Sequence, residues 1–367
     1  MAESDISGKS PAELRKDIVE YLSALRGRQQ GFSFRLVTER LRANKMPTAR
    51  GYDELIPKYR ALSLASPYLS DYQKVIKELH RDSVLFSKRA VAFYKVDPAL
   101  AKPVAAGIEA LVEDKTPFSD SFPLPIAPSV LRRAGYNGRF VRFRTEGNVL
   151  RAIACAKRSF RERKPIEIEE LHEEAKSALS EFDEVIGIRH GVVQAYDYIE
   201  FNKSTHILSV HIDICCPMGS EDFKQIRTHY IATLNEVCGF EAGPETSIVL
   251  PENLFPYVQK FYDDGDGKVG KLGHATGTDS VKEERMRSRR KDLRQEPFHK
   301  RGLEEIKTTD SYAIRKSWPL EKGPNTPTIE LPGHFADAGN PDAAIFYAIL
   351  EQCANGAQYK MLIDKLA

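Results

Sequence analysis

The stretch from Glu184 to Gly239 constrains the fold of this 367-residue chain more than any other. Val192 to Phe201 and His206 to Cys215 alternate apolar and polar residues around the short polar loop Asn202-Lys-Ser-Thr205. This period of two predicts a pair of antiparallel strands. Val185 to Ile188 should precede them as a shorter strand, completing a meander. A helix is expected from Ser220 to Val237, with Glu221 and Asp222 in its first turn, where the helix dipole favours acids. Phe223, Ile226, Tyr230, Leu234 and Val237 should form its buried stripe, and Gly239 its stop.

The hairpin allows a register to be written. With Phe201 opposite His206, one face holds Ile199, Leu208, Val210, Ala195 and Ile212, together with Asp197, an acid among apolar residues. The other face pairs Glu200 with Ile207, Tyr198 with Ser209, Tyr196 with His211 and Gln194 with Asp213. His211 and Asp213, two apart, project the same way, as an acid/base pair requires, with Tyr196 beside them. These three are the catalytic candidates, set against a plain sheet face covered by its neighbours.

Upstream the chain reads as helical. Leu14, Ile18, Tyr21, Leu22 and Leu25 share one helix face after Ser10-Pro11. Similar sets at 34–41, 69–79 and 104–112 predict about five helices and a helical domain over 1–116. Prolines 117, 123, 125 and 128 then mark a linker at 117–129. An α+β domain follows at 130–262, carrying the meander and its flanking helices. A smaller C-terminal α+β region spans 263–367, with a flexible basic loop. The fold class is therefore α+β.

Net charge is only +2, so electrostatic character must come from local distribution. Between Leu131 and Lys164 eleven basic residues face two acids. Arg132, Arg133, Arg139, Arg142, Arg144, Arg151 and Arg158 are the named candidates there. Arg139 to Arg144 reads as a strand, with Phe140, Arg142 and Arg144 on one side. Asn148 should open a helix that turns Leu150, Ile153 and Phe160 inward and Arg151 and Arg158 outward. Arginines interleaved with aromatics suit phosphates and exposed bases. The acids Glu167 to Glu184, expected on a helix from about Ile166 to Phe182, could instead neutralise them. Lys282 to Arg301 is a second basic concentration, with Arg289 and Arg290 as candidates.

Other motifs fail on their residues. Gly265 to Lys271 imitates a phosphate-binding loop, but Leu272 stands where Ser or Thr should hold magnesium. Asp264 to Val269 lacks the glycine and ligand of a calcium loop. No Cys-x-x-Cys pair predicts zinc, and no cofactor or metal is expected. A strand is expected over 245–250, a helix over 252–262, strands at 311–318 and 328–331, and a closing helix from Asn340-Pro341-Asp342. The five cysteines read as reduced thiols of a cytoplasmic protein. No apolar run is long enough to span a bilayer, so no membrane partner is expected.

Three functions fit. The first is nucleic-acid binding by the arginine-rich segments, in a regulatory or accessory role. The second is a scaffold that docks a protein partner through the helical N-terminus. The third is a metal-assisted hydrolase or nuclease using His211 and Asp213.

Overall fold

The computed structural model describes residues 9–241, 243, 247–277, 280–306, 309–320 and 325–366. Among them are eleven α-helices and one ten-stranded antiparallel sheet, an α+β fold. Among the described residues no helix is long and apolar enough to cross a membrane.

The N-terminal helices form as their periodicity predicts. They are α1 (Pro11–Gly27), α2 (Phe34–Ala43), α3 (Tyr52–Arg60) and α4 (Leu69–Phe86). Ser10 and Glu13 cap α1 reciprocally, and Pro11 occupies its first turn, where its missing N–H costs nothing. Ile18, Leu22, Leu25, Val37, Leu55 and Ile76 meet in their shared core.

The helical run then stops earlier than expected. Residues Arg89–Lys95 are a strand, β1, at the middle of the sheet between β5 (Ile207–Asp213) and β10 (Ala348–Glu351). All but its last residue are buried, so β1 shows no polar/apolar alternation that sequence patterning could detect. Helix α5 (Ala101–Ala110) follows. The proline-rich stretch leads into the short α6 (Pro128–Arg133).

Two hairpins supply the next part of the sheet. β2 (Arg139–Glu146) turns through Gly147, in the left-handed region at φ 60°, into β3 (Val149–Ile166). The helix expected from Asn148 is thus a strand of 18 residues. Ala152, Ala154, Cys155 and Ala156 favour or tolerate helix locally, but lie fully buried between β2 and β4 (Val185–Asn202). Burial against two neighbours overrides their propensity. A bulge between Phe140 and Arg142 breaks the simple alternation expected along β2. The acidic segment is likewise not one helix. It comprises the end of β3, a 3₁₀ turn (Ile168–Glu170) and α7 (Glu173–Ala178).

β4 and β5 pair as a hairpin, with Tyr198 opposite His211, Ile199 opposite Val210 and Phe201 opposite Leu208. The true register is displaced by two residues from the expected one. An even shift leaves each side chain on its expected face, because the pleat repeats every two residues. Helix α8 (Ser220–Cys238) ends at Gly239, at φ 69°. Val237, expected inward, is exposed.

The C-terminal half continues the sheet with α9 (Pro256–Asp263), β6 (Lys268–Thr276), β7 (Val281–Arg285), α10 (Pro297–Glu305), β8 (Thr309–Ser317), β9 (Thr328–Leu331), β10 and α11 (Gly356–Ile363). The segment 282–301 is therefore largely structured by β7, a 3₁₀ turn and α10. Ser247 to Leu250 form no strand, and 245 and 246 lie outside the described residues. The expected closing helix at 340 is irregular chain followed by β10. Ile345, Ala348 and Leu350 enter the core beside α11, whose own cap is Asn355. Strand order is β2-β3-β4-β5-β1-β10-β9-β8-β6-β7, so segments from 1–116, 130–262 and 263–367 share one sheet.

Candidate nucleic-acid interface

β3 and β4 pair over their whole length, from Val149 opposite Asn202 to Ile166 opposite Val185. Their outer neighbours are shorter: β2 pairs with β3 only up to Cys155, and β5 with β4 only from Tyr198. From Arg158 opposite Val193 to Ile166 opposite Val185, the two strands run on without a third. This ribbon reaches about 30 Å at the usual rise per residue.

A two-stranded ribbon is marginal alone, and this one is braced on one face. The Phe160 ring covers Gly191, where an added Cβ would come within 2.2 Å of it, and Ile166 covers Gly187. Arg189 donates to Glu162 at 2.6 Å on the same face. The opposite face carries Arg161 across from His190 and Arg163 across from Ile188, all exposed. Ile186, Ile188 and Phe182 are exposed apolar side chains towards the tip. Beyond them the cap is acidic, with Glu167, Glu169, Glu173, Glu174, Glu181, Asp183 and Glu184 all exposed.

The acidic cap does not neutralise the basic segment. Among the described residues no ion pair joins residues 132–164 to residues 167–184. Arg132, Arg133, Arg142, Arg161, Arg163 and Lys164 are exposed and form no ion pair among the described residues. Arg132 and Arg133 close α6 at the base of the ribbon, where Lys157 Nζ donates to the Arg132 carbonyl at 3.2 Å. Lys157 Nζ also sits 4.1 Å from the ring centroid of Tyr136, itself 63% exposed. Tyr136, Lys157 and Arg158 line a cleft of about 330 Å³ against Met218, Gln225 and His229. Sequence patterning does not single out Tyr136 and Lys157. The aromatic-cation interleaving that marked this segment was their only signal.

Other expected contacts are spent inside the protein. Arg139 pairs with Glu113 at 2.5 Å. Arg144 is half-buried, and burial with the neighbouring Arg151 charge lowers its pKa. Arg151, expected outward on a helix, is buried and donates to Glu200 at 2.6 Å. Arg158 is also buried, and its guanidinium binds Asp197. Arg289 pairs with Glu351 at 3.1 Å, while Arg290 is exposed on the same turn.

Asp197, the acid on the apolar face, is explained by a buried network. Its Oδ2 accepts from Arg158 and, at 2.7 Å, from the Tyr230 hydroxyl. Its Oδ1 accepts the Asp213 amide at 2.8 Å. Asp213 in turn accepts from Arg28 Nη1 at 3.0 Å, Ser87 Oγ at 3.0 Å and the Tyr196 amide at 3.0 Å. Burial alone would raise the Asp213 pKa, but the Arg28 and Arg89 charges outweigh it and hold the carboxyl below its ordinary range. The Arg28 guanidinium lies 4.8 Å from the Tyr196 ring centroid. Arg89, fully buried, caps the carbonyls of Leu85, Val84 and Tyr196.

Tyr196, Tyr198, His211 and Asp213 do share one face, yet they do not make an open acid/base site. His211 stacks on Tyr198 with centroids 4.1 Å apart. Its two nitrogens meet Ser209 Oγ and Tyr359 Oη, each at 2.8 Å. Burial, then the Arg89 and Arg151 charges, push its pKa well below the ordinary value, so the ring is neutral. Nor do the carboxylates at 263–266 join it. Asp264 pairs with Lys316 at 3.5 Å, and Asp266 accepts from Trp318 Nε1 and Lys365.

No protein-family model matches the chain, and a search of curated proteins finds no significant match.

Proposed function

We propose that this protein binds nucleic acid along the shaft of the β3–β4 ribbon and the adjoining end of α6. The observation that carries this reading is the set of exposed cations without acidic partners among the described residues: Arg132 and Arg133 on α6, Arg161 and Arg163 on one ribbon face, and Lys164 on the other. Exposed ion pairs contribute little, and these side chains have none to lose on meeting phosphate. Each phosphate they neutralise releases condensed counterions, which supplies affinity without sequence preference. Tyr136 at the ribbon base offers an exposed ring on which a base can stack. The acidic cap repels phosphate and confines the strand to the shaft. Arg151 and Arg158 take no phosphate in this reading; Arg158 anchors the strand from which the ribbon springs.

The test is binding of the full chain to labelled duplex and single-stranded probes across a salt series. Affinity should fall linearly in log–log terms. The triple variant Arg161→Ala, Arg163→Ala, Lys164→Ala should lower the slope by roughly 2 to 3. Binding that is absent at low salt, or whose slope is unchanged in the triple variant, rejects the proposal.

A further inference from the structure

His274 on β6, Glu284 on β7 and His299 on α10 converge at the outer end of the sheet, away from the ribbon. His274 Nε2 and His299 Nδ1 approach the same oxygen, Glu284 Oε1, at 2.8 and 2.9 Å. All three ligand atoms lie within 4.8 Å of one another. Both imidazoles are almost fully buried, whereas the Glu284 side chain keeps 20% exposure.

We infer that His274 Nε2, Glu284 Oε1 and His299 Nδ1 form a binding site for one divalent transition-metal ion of the zinc or iron(II) class. Two imidazole nitrogens and one carboxylate oxygen are the donor set these ions take, whereas calcium and magnesium prefer all-oxygen shells. Around an ion with bonds of about 2.0 to 2.1 Å, tetrahedral ligand atoms stand roughly 3.3 Å apart. The two nitrogen–oxygen separations need to open by about half an ångström, and the nitrogen–nitrogen separation, within 4.8 Å, to close by at most about 1.5 Å. The partly exposed Glu284 edge leaves a fourth position facing solvent, where water completes the shell.

The surroundings fit a ligand set. His299 Nε2 lies 2.9 Å from the Tyr262 hydroxyl, a partner that fixes the ring and takes its N–H when Nδ1 holds the metal. His274 Nδ1 is buried with no partner among the described residues whether or not metal is bound, and without metal the two rings must both donate to one oxygen. That proton arrangement is a poor use of two buried histidines. His274 and Glu284 are ten residues apart and His299 fifteen further on, a spacing without a recognised motif.

The experiment uses the full chain stripped with chelator, then titrated calorimetrically with Zn²⁺ and reconstituted with Co²⁺. Expected are one ion per chain and visible cobalt bands of a four- or five-coordinate site. Glu284→Gln, with its circular dichroism unchanged, should lose the cobalt bands and weaken zinc binding at least tenfold. Tyr262→Phe should weaken it about 10- to 100-fold while keeping the bands. Failure of the full chain to take up stoichiometric metal overturns the inference. So does uptake that is the same in Glu284→Gln and in the double variant His274→Ala, His299→Ala.

Discussion

Single residues are most exposed to change where charge is buried. Arg28 and Asp213 stand at 3.0 Å with almost no solvent contact. Arg28→Met leaves Asp213 ionised, buried and short of its strongest partner, which costs about 3 to 5 kcal/mol. Urea unfolding at neutral pH should show that loss, and a loss under 1 kcal/mol would mean the pair is dispensable. His80 behaves differently. Its ring is fully buried, neither nitrogen has a partner among the described residues, and it packs 5.4 Å from Tyr21. Burial, then the Arg28 charge, lower its pKa from 6.5 to about 3. The unfolded chain therefore binds a proton that the folded chain refuses. Stability is undiminished above pH of about 6.5 and falls by roughly 1.4 kcal/mol per unit as pH drops towards the folded value. His80→Leu should flatten that fall between pH 6 and 4, read from denaturation midpoints. An identical pH profile in the variant would assign the acid sensitivity elsewhere.

The ribbon is the element whose behaviour separates from the rest. Its free portion lacks a third strand, and its bracing rests on Phe160 over Gly191, Ile166 over Gly187 and the Glu162–Arg189 pair. Exposed pairs of this kind contribute at most about 1 kcal/mol, so the Phe160 ring is the larger hold. Phe160→Ala should accelerate amide exchange across 185–193 while the unfolding midpoint of the whole chain stays within about 0.5 kcal/mol. Loss of global stability would instead make the ribbon part of the core. The same element shows why patterning misread β3. Leu150, Ile153 and Phe160 fall on helical spacing, and the alanines between them favour helix. Nothing local announces that β2 and β4 will flank them on both edges. By contrast the span of α8 was legible, because its acidic first turn, most of its stripe and its terminal glycine act within the segment itself, although Val237 is exposed.

The whole molecule is joined through β1. That strand lies between β5 and β10, and it follows directly on α4 of the helical layer. Arg28, beyond α1, crosses from the helical layer to Asp213 on β5, and Val84 and Leu85 of α4 meet Tyr196 and Tyr198 of β4. A chain beginning at Ser87 would expose those tyrosines and strip Asp213 of Arg28. It is expected to aggregate or stay unfolded, as judged by size-exclusion chromatography and near-ultraviolet circular dichroism. A folded, monomeric fragment would show that the helical layer and the sheet are independent units.

By itself the sequence determined the class of fold, the helices α1 and α8, the β4–β5 hairpin with the correct side chains on each face, and the concentration of arginines at 132–164. These follow from short-range periodicity and from charge, which a chain carries before it folds. Tertiary structure decided which arginines are free. Arg151 and Arg158 turn inward because Glu200 and Asp197 lie on the neighbouring strand, and Arg161 and Arg163 stay outward because β3 and β4 outrun their neighbours. It also brought His274, Glu284 and His299 onto one point. Strand pairing and helix docking set such meetings over distances in sequence that no local pattern encodes.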